Sequence, residues 1–339
     1  MKRNYFIFLI IILTAQMFSG QSLTFISENN GKPLPKVSVF GKDGSILAYS
    51  DIEGKIDKKV LRPDQEKFQL VYDNYPIATL SYADLDKEII KLNDVVKEIA
   101  PIVLRNGKPA KYIIVKGNFN AYVTVNNTLN CYADGIAAYV FDNETKKLKN
   151  TYVEQYRMFR LENQKNDRKQ TSSWDYDAAL EIPDIKEVGN ILDYKTKKNT
   201  VIKELKGPRK DQIEITGEAL QKKEFAFLGY RFFDVRSILN VSYEKDSKKT
   251  LKDFVEFNEI SFLKLKHKSE PDYNQLILYT NFYPSELSFT DQADKIKIKF
   301  NTHNSNYTTN YWEEASFPNM QKVFSSFFKD DLKEQQNKK

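Results

Sequence analysis

The sequence predicts a mainly β fold: an N-terminal seven-stranded β-sandwich, then a larger antiparallel β-rich domain that ends in an amphipathic helix. Three observations carry this expectation. Apolar residues alternate with polar ones over short stretches through most of the chain, the period of a half-buried strand. Turn-forming clusters such as Asn29-Asn30-Gly31, Lys42-Asp43-Gly44 and Asp51-Ile52-Glu53-Gly54 separate these stretches at spacings of about ten residues, as in a sandwich. Near the end the period changes: Met320, Val323, Phe324, Phe327 and Phe328 form one helical stripe, with Pro318 in the first turn.

The first 21 residues read as an export signal. Lys2 and Arg3 form a basic start, Tyr5 to Phe18 is almost wholly apolar, and Ser19-Gly20 supplies small residues for removal near residue 20. That apolar run of 14 residues is shorter than the roughly 20 that cross a bilayer as a helix, and the mature chain has no other candidate span. An uncleaved N-terminal anchor is the rival reading. The expected location is the periplasm or the cell surface.

Composition narrows the function classes. Of 339 residues, 41% are apolar and 13% aromatic, enough for two real cores. Lys plus Arg exceed Asp plus Glu by 52 − 46 = 6, a mildly basic balance that names no partner, and nucleic acid is not expected for an exported chain. Lysine runs such as Lys146-Lys147-Leu148-Lys149 and Lys195 to Lys198 read as solvated loops. The single cysteine, Cys131, makes no internal disulfide and reads as a small core residue of a strand.

The first domain, residues 22–102, places strands at Leu23/Phe25, Val37/Val39, Ile46 to Tyr49, Ile56 to Val60, Phe68/Leu70/Tyr72, Ile77 to Leu80 and Ile89/Ile90/Leu92. Gly31-Lys32-Pro33-Leu34-Pro35-Lys36-Val37-Ser38-Val39, the turn Ser50-Asp51-Ile52-Glu53-Gly54-Lys55 and the aromatic strand before Asn74-Tyr75 resemble the carboxypeptidase regulatory-like (transthyretin-like) module found at the N-terminus of exported Bacteroidetes proteins. The resemblance covers residues 22–93 and implies a non-catalytic accessory that serves folding, spacing or docking. Asn74 stands where that family often has glycine. Asp51 and Glu53 read as turn residues, since two carboxylates make an incomplete calcium site.

Ala100-Pro101 and Asn106-Gly107-Lys108-Pro109 mark a linker at 103–110, and the second domain spans 111–339. Strand-like segments follow at Tyr112 to Val115, Phe119 to Val125, Leu129 to Tyr132, Ile136 to Phe141 and Tyr152 to Phe159, the start of a meander in which Phe119, Ala121, Val123 and Val125 face one way. After a polar, partly helical stretch from Asp184 to Tyr194 the β pattern resumes at Gln212 to Ile215, Phe225 to Phe233, Val255 to Leu265, Leu276 to Phe282 and Ile296 to Phe300. The segment Tyr112 to Phe159 is similar to parts of uncharacterised exported Bacteroidetes proteins that follow the same module.

No residue cluster has the spacing of a known chemistry. His267 and His303 are the two imidazoles, each in a Lys- or Asn-rich setting, and no Gly-x-Ser-x-Gly elbow, His-Glu-x-x-His pair or phosphate loop accompanies them. No catalytic residue, metal site or cofactor is expected. Phe225, Phe227, Tyr230 and Phe232 are the candidate ligand contacts, because ring faces stack on sugars and line lipid pockets; buried-strand packing is the competing account. The expected function is therefore a non-catalytic binding or assembly module of the envelope, with an envelope protein, glycan or lipid as partner. One alternative is a carrier of lipid or another hydrophobic ligand, with a curved sheet closed by the C-terminal helix. Another is a hydrolase using His267 or His303.

Overall fold

A computed structural model describes residues 22–61, 64–73, 75–94, 110–162, 176–196, 200–207, 210–220, 224–292, 298–314 and 317–337. The expected signal segment and the linker up to residue 109 lie outside the described residues. The chain is mainly β and divides into two compact units, one ending at Lys97 and the other beginning at Glu98.

In the first unit the strands are β1 (Ser22–Ser27), β2 (Ser38–Phe40), β3 (Ile46–Tyr49), β4 (Lys55–Asp57), β5 (Lys67–Tyr72), β6 (Tyr75–Ser81) and β7 (Ile89–Leu92). They form a three-stranded sheet, β4-β1-β7, and a four-stranded sheet, β3-β2-β5-β6. Alternate residues point inward from both: Leu23, Phe25, Val37, Val39, Phe68 and Leu70 share one apolar core. Gly54 has φ +75° and a Cβ there would meet Phe25 O at 2.4 Å, so this turn requires glycine. Asp51 Oδ1 accepts from Glu53 N and Lys55 N, both at 2.8 Å, so the carboxylate is used by its own turn. The strand expected to reach Val60 stops at Asp57, whose side chain caps a short 3-10 turn over Lys58–Val60.

The second unit is one ten-stranded antiparallel sheet. Its strands are β8 (Tyr112–Val125), β9 (Thr128–Asp142), β10 (Leu148–Leu161), β11 (Thr200–Lys206), β12 (Lys210–Leu220), β13 (Phe225–Phe227), β14 (Tyr230–Glu244), β15 (Phe254–His267), β16 (Asn274–Thr290) and β17 (Leu332–Glu334). The order across the sheet is β11-β12-β14-β15-β16-β8-β9-β10-β17, with β13 paired to β14 alone. Stretches expected as separate strands are single long ones in β8, which joins residues 112–115 to 119–125, and in β9, which joins residues 129–132 to 136–141. Bulges between Pro284 and Glu286 and between Val153 and Gln155 interrupt the register of β16 and β10 without ending them. β11 has no counterpart in the sequence reading, since Thr200 to Lys206 carries three charged residues among exposed positions.

Each face of this sheet has its own cover. Phe119, Ala121 and Val123 point to the same side, as expected, together with Phe282 and Phe257. Over that side runs a strap: Tyr176 and Leu180 pack on Val123 and Cys131, then Ile185, Val188 and Ile191 pack on Phe119, Tyr139 and Val241. Tyr139 Oη donates to Pro183 O at 2.6 Å and pins the strap in mid-course. Gly135 lies under the Phe119 ring, where a Cβ would meet the ring edge at 2.7 Å.

The opposite side carries helix α1 (Met320–Phe327). Met320, Val323 and Phe324 are buried, with the Phe324 ring edge-on to Tyr122 and Tyr132 at 5.2 and 5.4 Å. Phe327 and Phe328 are half-buried, so the stripe is narrower than its sequence spacing suggests. The charged tail adds β17, which pairs antiparallel with β10.

Candidate functional site

The four aromatic residues singled out from the sequence lie together, on a hairpin and not on one buried strand. Residues Phe225 to Phe233 fold back at Leu228-Gly229, both with positive φ (48° and 85°), the geometry of a two-residue hairpin turn. This pairs Phe225 with Phe232 and Phe227 with Tyr230, so all four rings project to the strap side. Phe225 stacks on Phe232 at 4.9 Å, and Tyr230 meets the His267 ring edge-on at 5.0 Å.

Burial divides the set. Tyr230 and Phe232 pack against the apolar cluster of Ala121, Val123, Leu265 and Leu276. Phe225 and Phe227 are 44% and 60% exposed, and Leu228 at the turn is 80% exposed. The ribbon is thus half core and half surface, which removes buried-strand packing as a full account of its rings.

From Phe232 a half-buried strip of the sheet continues along the strap side through Leu263, Ser261 and Leu278. The row Leu239, Glu259, Thr280, Ala121, Ala133 crosses β14, β15, β16, β8 and β9 with small or polar side chains in the middle. Glu259 is the ionisable group of that row. Burial pushes its carboxyl above the ordinary 4.5, with Asp184 adding to the rise while Ser261 and Lys186 oppose it. At the ribbon end Tyr176 accepts from Asn274 Nδ2 at 2.9 Å, and burial pushes its hydroxyl up to about 12.

The helix side holds a second arrangement that was not visible in the sequence. Lys203, Glu214, Asn240, Asn258, Asn281, Asn120, Asp134 and Arg157 are register partners one after another, a polar row across β11, β12, β14, β15, β16, β8, β9 and β10. Asn258 donates to Asn281 at 2.9 Å and Asn281 to Asn120 at 2.7 Å. At the β10 end Arg157 donates from Nε and Nη2 to Asp134 at 3.0 and 2.6 Å, while Tyr132 and Tyr311 each donate to the same carboxylate at 2.8 Å. Burial opposes the Arg157 charge, but Asp134 outweighs it and holds the guanidinium above its ordinary pKa. Its face lies 4.1 Å from the Trp312 ring centre.

The two histidines sit in different settings. His267, at the end of β15, has Nδ1 2.6 Å from Ser269 Oγ and accepts from Ser269 N at 3.3 Å, all within one exposed turn. His303 has Nδ1 2.7 Å from Arg160 Nη2 and 3.7 Å from the buried carboxylate of Asp177, which also pairs with Arg160. Among the described residues no group of three or more His, Cys, Asp and Glu could hold a metal ion, and no helix is long and apolar enough to cross a membrane. Cys131 is fully buried in the strap-side cluster, as its strand position implied.

No family model and no curated protein matches this chain. Among solved structures it is similar to one described as lipid-protein interactions in lipovitellin, with 8% identity and a TM-score of 0.26 over 56% of this chain and 26% of that one. The matched part is about a quarter of that protein's length. A likeness of that size carries no argument about fold or ligand.

Proposed function

We propose that this chain is a non-catalytic, exported binding module of the envelope whose large sheet holds an apolar or amphipathic ligand on its strap side. Phe225, Phe227, Tyr230 and Phe232 are the contact residues, and the half-buried strip through Leu263, Ser261 and Leu278 receives the rest of the ligand. The observation that supports this is the half-exposed aromatic ribbon joined to a half-exposed apolar floor. Water-facing rings next to an apolar floor are what a ligand surface requires and what core packing alone does not explain. The N-terminal sandwich takes the accessory role that its resemblance implies.

The carrier alternative changes in one respect. Helix α1 lies on the side opposite the ribbon and fills its own face with Phe324, so it does not cover this strip. The hydrolase alternative would use the Ser269-His267 pair or the Asp177-His303 pair, and both share their imidazole Nδ1 with other local partners, Ser269 N and Arg160.

A fluorescent fatty-acid analogue titrated into the purified protein tests the reading. Saturable binding is expected, weakened about tenfold or more by Phe232→Ala, as the loss of one ring contact implies. His267→Ala with His303→Ala should leave it unchanged. No saturable binding, or binding indifferent to Phe225→Ala and Phe232→Ala, would reject this strip and its aromatic ribbon as the site.

A further inference from the structure

We propose that the Phe227-Leu228 turn is a membrane-seating tip, which places this end of the large sheet in the interface of a neutral, zwitterionic lipid surface. The first argument is the residue at the turn. Leu228 holds φ +48°, a left-handed conformation that disfavours a branched apolar side chain and suits glycine or asparagine. It is also 80% exposed, so within the chain the leucine gains no burial to offset its strained backbone. Phe227 beside it is 60% exposed and Phe225 44%.

Area selects the partner. At 150–250 Å² per aromatic side chain, these three residues offer roughly 350 Å², well short of the roughly 800 Å² per partner of a stable protein interface. The patch moreover sits at a hairpin turn at the end of the sheet, where β14 also pairs with β15. A rigid protein surface would need a matching pocket, whereas a lipid interface moulds around a tip of any shape.

The collar fits that interface as well. Tyr230 and Tyr273 stand behind the tip, with the Lys266 ammonium 4.9 Å from the Tyr273 ring centre. Aromatic and long basic side chains of this kind settle at headgroup level. Among the described residues at this end, Arg231, Lys266 and Lys268 are balanced by Glu224, Glu270 and Asp272, three charges against three, and Arg231 pairs directly with Glu224 at 3.0 Å. A balanced collar favours neutral headgroups over anionic ones. This inference does not rest on the ligand reading, whose floor lies further along the strap side.

Vesicle co-sedimentation tests it, using residues 22–339, the form expected after signal removal, because the apolar leader would itself enter lipid. The protein should sediment with phosphatidylcholine vesicles, and this should persist from about 0.1 to 0.5 M salt, since apolar insertion is not screened. Phe227→Ser with Leu228→Asn should lower vesicle partition about tenfold or more without lowering Tm, because asparagine suits the left-handed turn. Phe227→Trp should give fluorescence quenched by brominated acyl chains. Phe232→Ala should keep vesicle binding even if it loses the fatty-acid analogue, so the two readings fail separately. The proposal is overturned if the wild type stays in the supernatant, if the double variant sediments equally, or if binding vanishes with salt. It is also overturned if the double variant abolishes a concentration-dependent dimer while vesicles have no effect.

Discussion

The side-chain amide of Asn281 donates to Asn120 Oδ1 at 2.7 Å, joining positions 161 residues apart at the centre of the large sheet. Asn281 also accepts from Asn258, so one side chain satisfies groups on both flanking strands. Asn281→Ala would orphan a buried acceptor and a half-buried donor, at about 1–3 kcal/mol for each unsatisfied group. Urea denaturation should show the loss. A change within about 0.5 kcal/mol would mean that water replaces the amide at no cost.

Arg157→Met should be more damaging than Asn281→Ala. It leaves the Asp134 carboxylate buried with only the two tyrosine donors, and breaking such a pair costs about 3–5 kcal/mol. The double replacement Asp134→Leu with Arg157→Met should recover part of that loss. Equal destabilisation by the single and double variants would show that packing against Trp312, and not the ion pair, carries the effect.

The helix offers a graded comparison. Phe324→Ala removes a fully buried ring and should cost about 3–5 kcal/mol, while Phe327→Ala, at a half-buried position, should cost roughly 1–2 kcal/mol. Thermal unfolding of both variants ranks them. Equal effects would contradict the burial difference along this stripe.

Glu259 should make stability depend on pH. Its folded pKa is raised, so the folded state holds the proton more tightly than the unfolded chain does. The stability this contributes is full below the ordinary 4.5 and is lost as pH rises through the folded value. Asp184, Glu181, Lys186 and Ser261 face this carboxyl, and the two acids raise the cost of its charge. Relative to wild type, Glu259→Gln should therefore gain stability above the folded pKa and show a flatter pH profile in denaturant melts. An unchanged profile would mean that Glu259 titrates as it does in the unfolded chain.

Much of this architecture was legible because strand burial has period two. The seven strands of the first unit stand near where alternation placed them, β4 ending early at Asp57, and Phe119, Ala121 and Val123 share a side as read. The polar row was not legible, because nothing local to Asn120 says that its partner is Asn281; only the register between distant strands does. The hairpin at Leu228-Gly229 was missed because leucine is an unusual turn residue, although Gly229 was a signal available in the sequence. Within the candidate site, the rings were identifiable by type, whereas the floor at Leu263, Ser261 and Leu278 depends on which strands lie side by side.

The pairing of β16 with β8 has a consequence for how the chain acquires its structure. On one side of that seam stand β8, β9 and β10, linked in sequence; on the other stand β11, β12, β14, β15 and β16, also neighbours in sequence. Each half is a local meander whose strands can zip from short turns, but the seam joins Val125 to Leu276 and must await both. Long-range pairing of this kind slows folding, because loop closure comes before its reward. Until the seam closes, β8 and β16 are bare apolar edges, the strands most exposed to wrong partners in a crowded compartment. The amide ladder through Asn281 and Asn120 lies on that same seam, where a slip of one residue would put the two amides on opposite sides of the sheet. Only the native register therefore joins these two amides across the seam.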